Sequence, residues 1–139
     1  MPPLARYHIK AGLFHFAFAL ILGVVLAAQP VFNLSPYIAT LRPAFLHLLM
    51  VGWITQLIMG VAYWMFPKQS KEQPRGSSRL GWAVFLSLNV GLLLRIVGEP
   101  LLFIQPGPAG GVVLTLSAVL QVIAGWLFVV NTWSRVKER

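Results

Sequence analysis

Residues 42–68 read RPAFLHLLMVGWITQLIMGVAYWMFPK. Between Arg42 and Lys68 the only side chain that titrates near neutral pH is His47. A bilayer core of about 30 Å is crossed by roughly 20 helical residues. Lipid offers the backbone no hydrogen bonds, so only helices or closed barrels span it, and this run lacks the alternation of a barrel strand. On either side of it, the stretches at about 11–30, 80–103 and 109–132 have the same character as the one at about 43–66. The fold expected is all-α: one integral-membrane bundle of four transmembrane helices over residues 1–139, with both termini cytoplasmic.

Composition agrees. The chain has 139 residues, 58% hydrophobic and 10% charged, where a soluble domain is about one quarter charged. Its formal charge of +8 is distributed by position. Arg6 and Lys10 precede the first span, Lys68, Lys71, Arg75 and Arg79 separate the second and third, and Arg135, Lys137 and Arg139 follow the fourth. The connectors 31–41 and 104–108 carry no lysine or arginine. The positive-inside rule then places the basic segments in the cytoplasm of a multi-pass protein of the cytoplasmic (inner) membrane. The basicity reports orientation and contact with anionic membrane lipid; no nucleic acid partner is expected, because no aromatic-basic platform accompanies the charge. The apolar run near the N-terminus ends LAAQP but exceeds the 7–15 residues of a signal core, so it is read as a retained span.

Several chemistries are excluded. Without cysteine there is no covalent c-type haem, thiolate-held cluster or disulfide. Of three acidic residues, Glu72 lies in the middle loop and Glu138 at the terminus, leaving Glu99 alone near a span. No carboxylate pair, phosphate-binding glycine loop or dinucleotide fingerprint appears.

Small residues recur at helical spacing: Gly12, His15, Ala19, Gly23 and Ala27 in the first span, and Ser117, Gln121 and Gly125 in the fourth. Both sets read as packing faces. In the second span Gly52, Thr55, Gln56, Met59, Gly60 and Tyr63 gather on one face, the expected interior. His47 lies about 140° away, with Val51, Ile54, Ile58 and Met65 on its side. In the first outer turn, Asn33 and Ser35 are expected caps.

An ionisable residue inside a membrane marks a functional hypothesis, because holding it there costs free energy. The candidates are His15, His47 and Arg95, with Arg42 and Glu99 near the outer surface. A histidine on an apolar wall with a cation above it suits a b-type haem: imidazole as axial ligand, aliphatic cover, arginine at the propionates. The plainer reading is a histidine bonded to a neighbouring helix. His15 is about 14 residues, or 21 Å, below the outer end of its span and His47 about 6 residues, or 9 Å, below its own, so the two do not bracket one haem. His15, with His8 one heptad earlier, reads as a packing hydrogen-bond donor or part of a separate metal site. Arg95 and Glu99 have i, i+4 spacing: either a paired charge at the outer leaflet, or an arginine offered to a propionate.

PAFLHLLMVGWITQLIMGVAYWMFPK, PRG and LNVGLLLRIVGEP, within residues 42–100, resemble small four-span proteins related to subunit I of the haem–copper oxidases, often labelled cytochrome c oxidase subunit I-like. The resemblance implies that His47 takes the role of the low-spin haem ligand carried near the outer end of that subunit's second span. Three histidines on four spans are too few for two haems and a copper ion, so no complete oxidase is expected. The resemblance further implies a homo-oligomer in which His47 of adjacent protomers ligates one haem across a symmetry axis. The expected function is haem b binding for one-electron transfer, or redox or gas sensing, beside a respiratory-chain redox partner. The alternative is a cofactor-free scaffold or accessory subunit of a respiratory complex.

Overall fold

The computed structural model describes residues 1–71, 74–105 and 107–136; Glu72, Gln73, Pro106, Lys137, Glu138 and Arg139, which include both loop and terminal charges considered above, lie outside the described residues. Among the described residues there is no strand. Helix α1 covers Pro3–Ala28. A 3-10 turn, Pro36–Leu41, leads into a rod made of α2 (Arg42–His47), a π-helical segment (Leu48–Thr55) and α3 (Gln56–Met65). Helix α4 covers Ser78–Ile104 and α5 covers Pro108–Trp133. Pro3–Ala28, Pro36–Met65, Ser78–Ile104 and Pro108–Trp133 are each long and apolar enough to cross a bilayer.

The first helix begins eight residues before the expected boundary near 11. Arg6 and Lys10 interrupt the hydropathy but not the helix: both side chains are exposed on its surface, and a proline in the first turn is pre-set for helical φ. Neither expected cap of the first outer turn acts as one. Ser35 starts the 3-10 turn without a side-chain bond, and Asn33 adopts φ 48°, a left-handed conformation that asparagine tolerates. Among the described residues, the helix start capped by a side chain is that of α4, where Ser77 accepts the Leu80 amide.

Helix α1 buries Ala5, His8, Gly12, His15, Ala19 and Leu22, a seam with intervals of three and four. It runs antiparallel to the second rod, with His8 over Gly60, His15 over Gly52 and Gly23 against Phe45. Helix α5 buries Gly110, Ser117, Ala124 and Asn131, one every seven residues, together with Thr132, against α4 as its antiparallel partner. Repeated four-residue steps drift by about 40° each, while a seven-residue step returns within about 20°. That drift corrects two expectations: Ala27 is exposed, and a Cβ on Gly125 would meet nothing within 4 Å.

Two apolar clusters fill the bundle. Met59, Val84, Leu88 and Ala124 join the second rod to α4 and α5; Ala19, Leu22 and Leu48, with Phe45 and Ile96 beside them, join it to α1 and α4. The outward surface is also apolar, with Phe14, Val24, Ile58 and Trp126 all more than half exposed. Monomeric soluble proteins rarely expose apolar patches of this extent.

Candidate functional site

The second rod changes pitch at His47. The π-helical segment starts at Leu48 and runs eight residues to Thr55, whereas π turns usually occur singly and often at functional sites. Its wider i→i+5 turns are reflected in Thr55, whose hydroxyl donates to the Met50 carbonyl five residues back at 2.8 Å. The extra residue per turn rotates the faces. Gly52, Gln56, Met59, Gly60 and Tyr63 are buried as expected, and Thr55 is half-buried. Val51, expected on the His47 side, instead packs against the Met59–Val84–Leu88–Ala124 cluster. Ile54, Ile58 and Met65 remain exposed.

His47 is half-buried at the outer surface of the rod, flanked by exposed Leu46 and Met50. Its Nδ1 lies 3.0 Å from the Pro43 carbonyl. A carbonyl only accepts, so Nδ1 carries the hydrogen, and a neutral ring keeps its lone pair on Nε2. That is the tautomer of an imidazole presented to a metal, with its other nitrogen held by the backbone.

His15 points into the bundle. Its Nδ1 donates to the Gly52 carbonyl at 3.2 Å and to Gln56 Oε1 at 3.1 Å. Gln56 Nε2 donates to Asn89 Oδ1 at 3.2 Å, and Asn89 Nδ2 to the Phe85 carbonyl at 2.7 Å. The chain of bonds ties α1, the second rod and α4 together and satisfies polar groups that would be costly unpaired. Gly52 makes it reachable, since a Cβ there would lie 3.0 Å from His15 Cβ. The structure therefore separates the two histidines, one bonded inward and one presented outward.

Above His47, Ala39, Thr40, Arg42, Pro43, Leu46, Glu99, Leu102 and Phe103 line an open groove of about 600 Å³. The Pro43 and Leu46 wall continues directly into the His47 turn. Arg95 Nε lies 3.0 Å from Glu99 Oε1, the i, i+4 pair anticipated from spacing, at ion-pair distance without hydrogen-bond alignment. Arg42 is exposed on the groove rim. Among the described residues, no group of three or more histidine or acidic side chains could hold a metal ion.

At the opposite, basic end, Arg135 is fully buried. It donates from Nη2 to the Phe66 and Tyr63 carbonyls at 2.8 and 3.2 Å, from Nε to Pro67 at 3.1 Å and from Nη1 to Arg75 at 3.5 Å. A guanidinium thus covers the exposed carbonyls of the C-terminal end of α3, where the helix dipole also favours a cation. Burial, then the neighbouring Arg75 charge, lowers its pKa from the ordinary value, and Tyr63 raises it back in part. Beside it Asn131 Oδ1 accepts the Ser77 amide at 2.8 Å while Nδ2 donates to the Ser77 carbonyl at 3.2 Å. Gly76, at φ 76°, makes room for that clasp. In the sequence Arg135 counts only as one more basic residue past the last span, and nothing in its position announces that it covers the end of α3. Asn89 was legible as the lone amide in LNVGLLLR. His8, fully buried, had no signal beyond its heptad relation to His15.

No family model matches the chain, nor does any curated protein or solved structure.

Proposed function

We propose that this chain is an integral membrane haem b protein, its basic end in the cytoplasm, with His47 as axial ligand through Nε2. The observation that carries the reading is the His47 Nδ1–H bond to the Pro43 carbonyl, on a ring that faces out of its own bundle. Leu46, Met50 and Ile54 supply an aliphatic wall beside it. Arg42, five residues earlier on the rim of the groove, suits a propionate better than Arg95, whose charge is engaged by Glu99. His15 is committed to Gly52 and Gln56, so the second axial ligand is assigned to His47 of a second copy. Bound haem would supply a one-electron couple, and a bis-histidine site, having no open position, favours electron transfer in a respiratory chain over gas sensing.

Purification in detergent with haem supplied tests this. The expected result is a sharp Soret band that shifts on reduction, persists in His15→Ala, disappears in His47→Ala and corresponds to one haem per two chains. Carbon monoxide should leave the spectrum unchanged; a change would mean an open position and favour gas sensing. A colourless preparation that still assembles with a larger membrane complex would reject the haem reading in favour of the scaffold.

A further inference from the structure

His8 is fully buried, and neither Nδ1 nor Nε2 has a hydrogen-bond partner. It packs edge-on against the Phe85 ring at 5.2 Å and beside the Tyr63 ring at 5.6 Å. Its backbone sits so close to α3 that a Cβ on Gly60 would lie 2.9 Å from His8 Cβ. A buried polar group left unpaired is destabilising, and phenylalanine would fill an aromatic slot of this kind without that cost. One helical turn nearer the basic end, Leu4 lines a cavity of about 160 Å³ together with Pro3, Tyr63, Arg75, Ser77 and Trp82. This is room for several waters, at about 30 Å³ each, among polar groups able to hold them. Tyr63 is common to both: it walls the cavity and touches the His8 ring. In the other direction along the same seam, seven residues or about 10 Å away, His15 begins the chain of bonds through Gln56 and Asn89.

We propose that His8 is a proton-binding site at the inner end of a hydrated vestibule that opens at the basic end of the bundle. The imidazole takes a proton from hydronium, leaving water, and returns it by the reverse step. On its own helix the flanking seam residues, Ala5 and Gly12, do not titrate, and Arg6 and Lys10 leave on exposed faces. From α3 it meets Gly60 and the Tyr63 phenol, whose backbone carbonyl is held by Arg135; from α4 it meets Phe85, backed by Trp82. Among the described residues no carboxylate faces it, so no fixed counter-charge holds the proton, and water reaching the ring from the cavity beside Tyr63 is what would solvate the imidazolium. The site is independent of haem.

The test is nuclear magnetic resonance of the ¹⁵N-histidine-labelled full chain, without haem, in phosphatidylcholine–phosphatidylglycerol nanodiscs. The three imidazoles are assigned with His8→Phe, His15→Phe and His47→Ala. The expected result is magnetisation transfer from water to the His8 ring, and ¹⁵N shifts that move from neutral to protonated positions as the pH is lowered. Leu4→Trp, which fills the cavity, should abolish the transfer to His8 and leave the His47 signals unchanged. Because the chain contains no cysteine, Pro2→Cys, on another wall of the same cavity, capped with a bulky maleimide blocks it without touching the buried seam and should do likewise. A His8 ring that receives no water magnetisation and does not titrate would overturn the proposal, as would transfer that survives both blocks.

Discussion

Replacing Arg135 by methionine keeps most of the aliphatic volume and removes the guanidinium. Three of its bonds are short, at 2.8, 3.1 and 3.2 Å, to the Phe66, Pro67 and Tyr63 carbonyls. Hydrogen bonds from a charged donor contribute about 1.5–3 kcal/mol each, and an orphaned buried acceptor costs about 1–3 kcal/mol. The gain is offset by the several kcal/mol needed to bury a guanidinium, and water at the bundle end rehydrates some of the freed carbonyls. A net loss of about 3 kcal/mol is expected for Arg135→Met, nearer one acceptor's worth than three. Arg135→Lys should recover less than half, because an ammonium is a point charge and does not reproduce the planar fork. The exposed Arg79→Met should stay within about 0.5 kcal/mol of the wild type. Unfolding of the reconstituted chain by a denaturing detergent, followed by helical circular dichroism, measures all three. If Arg135→Met matches Arg79→Met, the buried guanidinium is an ordinary interfacial charge and its capping role is refuted.

Gly52→Ala pushes a Cβ to 3.0 Å from His15 and should cost about 1–3 kcal/mol by overpacking, whereas Gly125→Ala, which meets open space, should be neutral within about 0.5 kcal/mol; the same unfolding assay compares them. Gln56→Leu removes the link between His15 and Asn89 and should cost about 0.6–1.7 kcal/mol, the range of interhelical hydrogen bonds in membranes. In the labelled protein it should also shift the His15 ring signals while leaving His47 unmoved. Ser77→Ala, which deletes the bond to the Leu80 amide, should cost about 1 kcal/mol and raise amide exchange in the first turn of α4 alone.

Much of the fold was legible because the second rod and its neighbours are long, apolar and bounded by proline, glycine or charge. The interior face Gly52–Gln56–Met59–Gly60–Tyr63 followed from helical periodicity, and so did the exposure of Ile54, Ile58 and Met65. Val51 was misplaced because periodicity assumes one pitch, and nothing in LLMVGWIT announces a π turn. Gly125 and Ala27 were misplaced because steps of four look regular in a sequence but drift in space. His47, Arg42 and the Arg95–Glu99 spacing were visible as rare polar side chains in an apolar chain.

Hydropathy and charge are properties of residues whatever their neighbours, so they alone announce four membrane-length helices, one basic end and a few ionisable side chains within them. Which of those side chains are committed is set by how the helices pack. His15 is bonded to the next helix, His47 is held by its own Pro43 carbonyl and faces outward, His8 has no partner, and Arg135 closes a helix end. A hydrogen bond depends on a donor and an acceptor meeting within about 3 Å, and residues dozens of positions apart reach that distance only through the packing of whole helices.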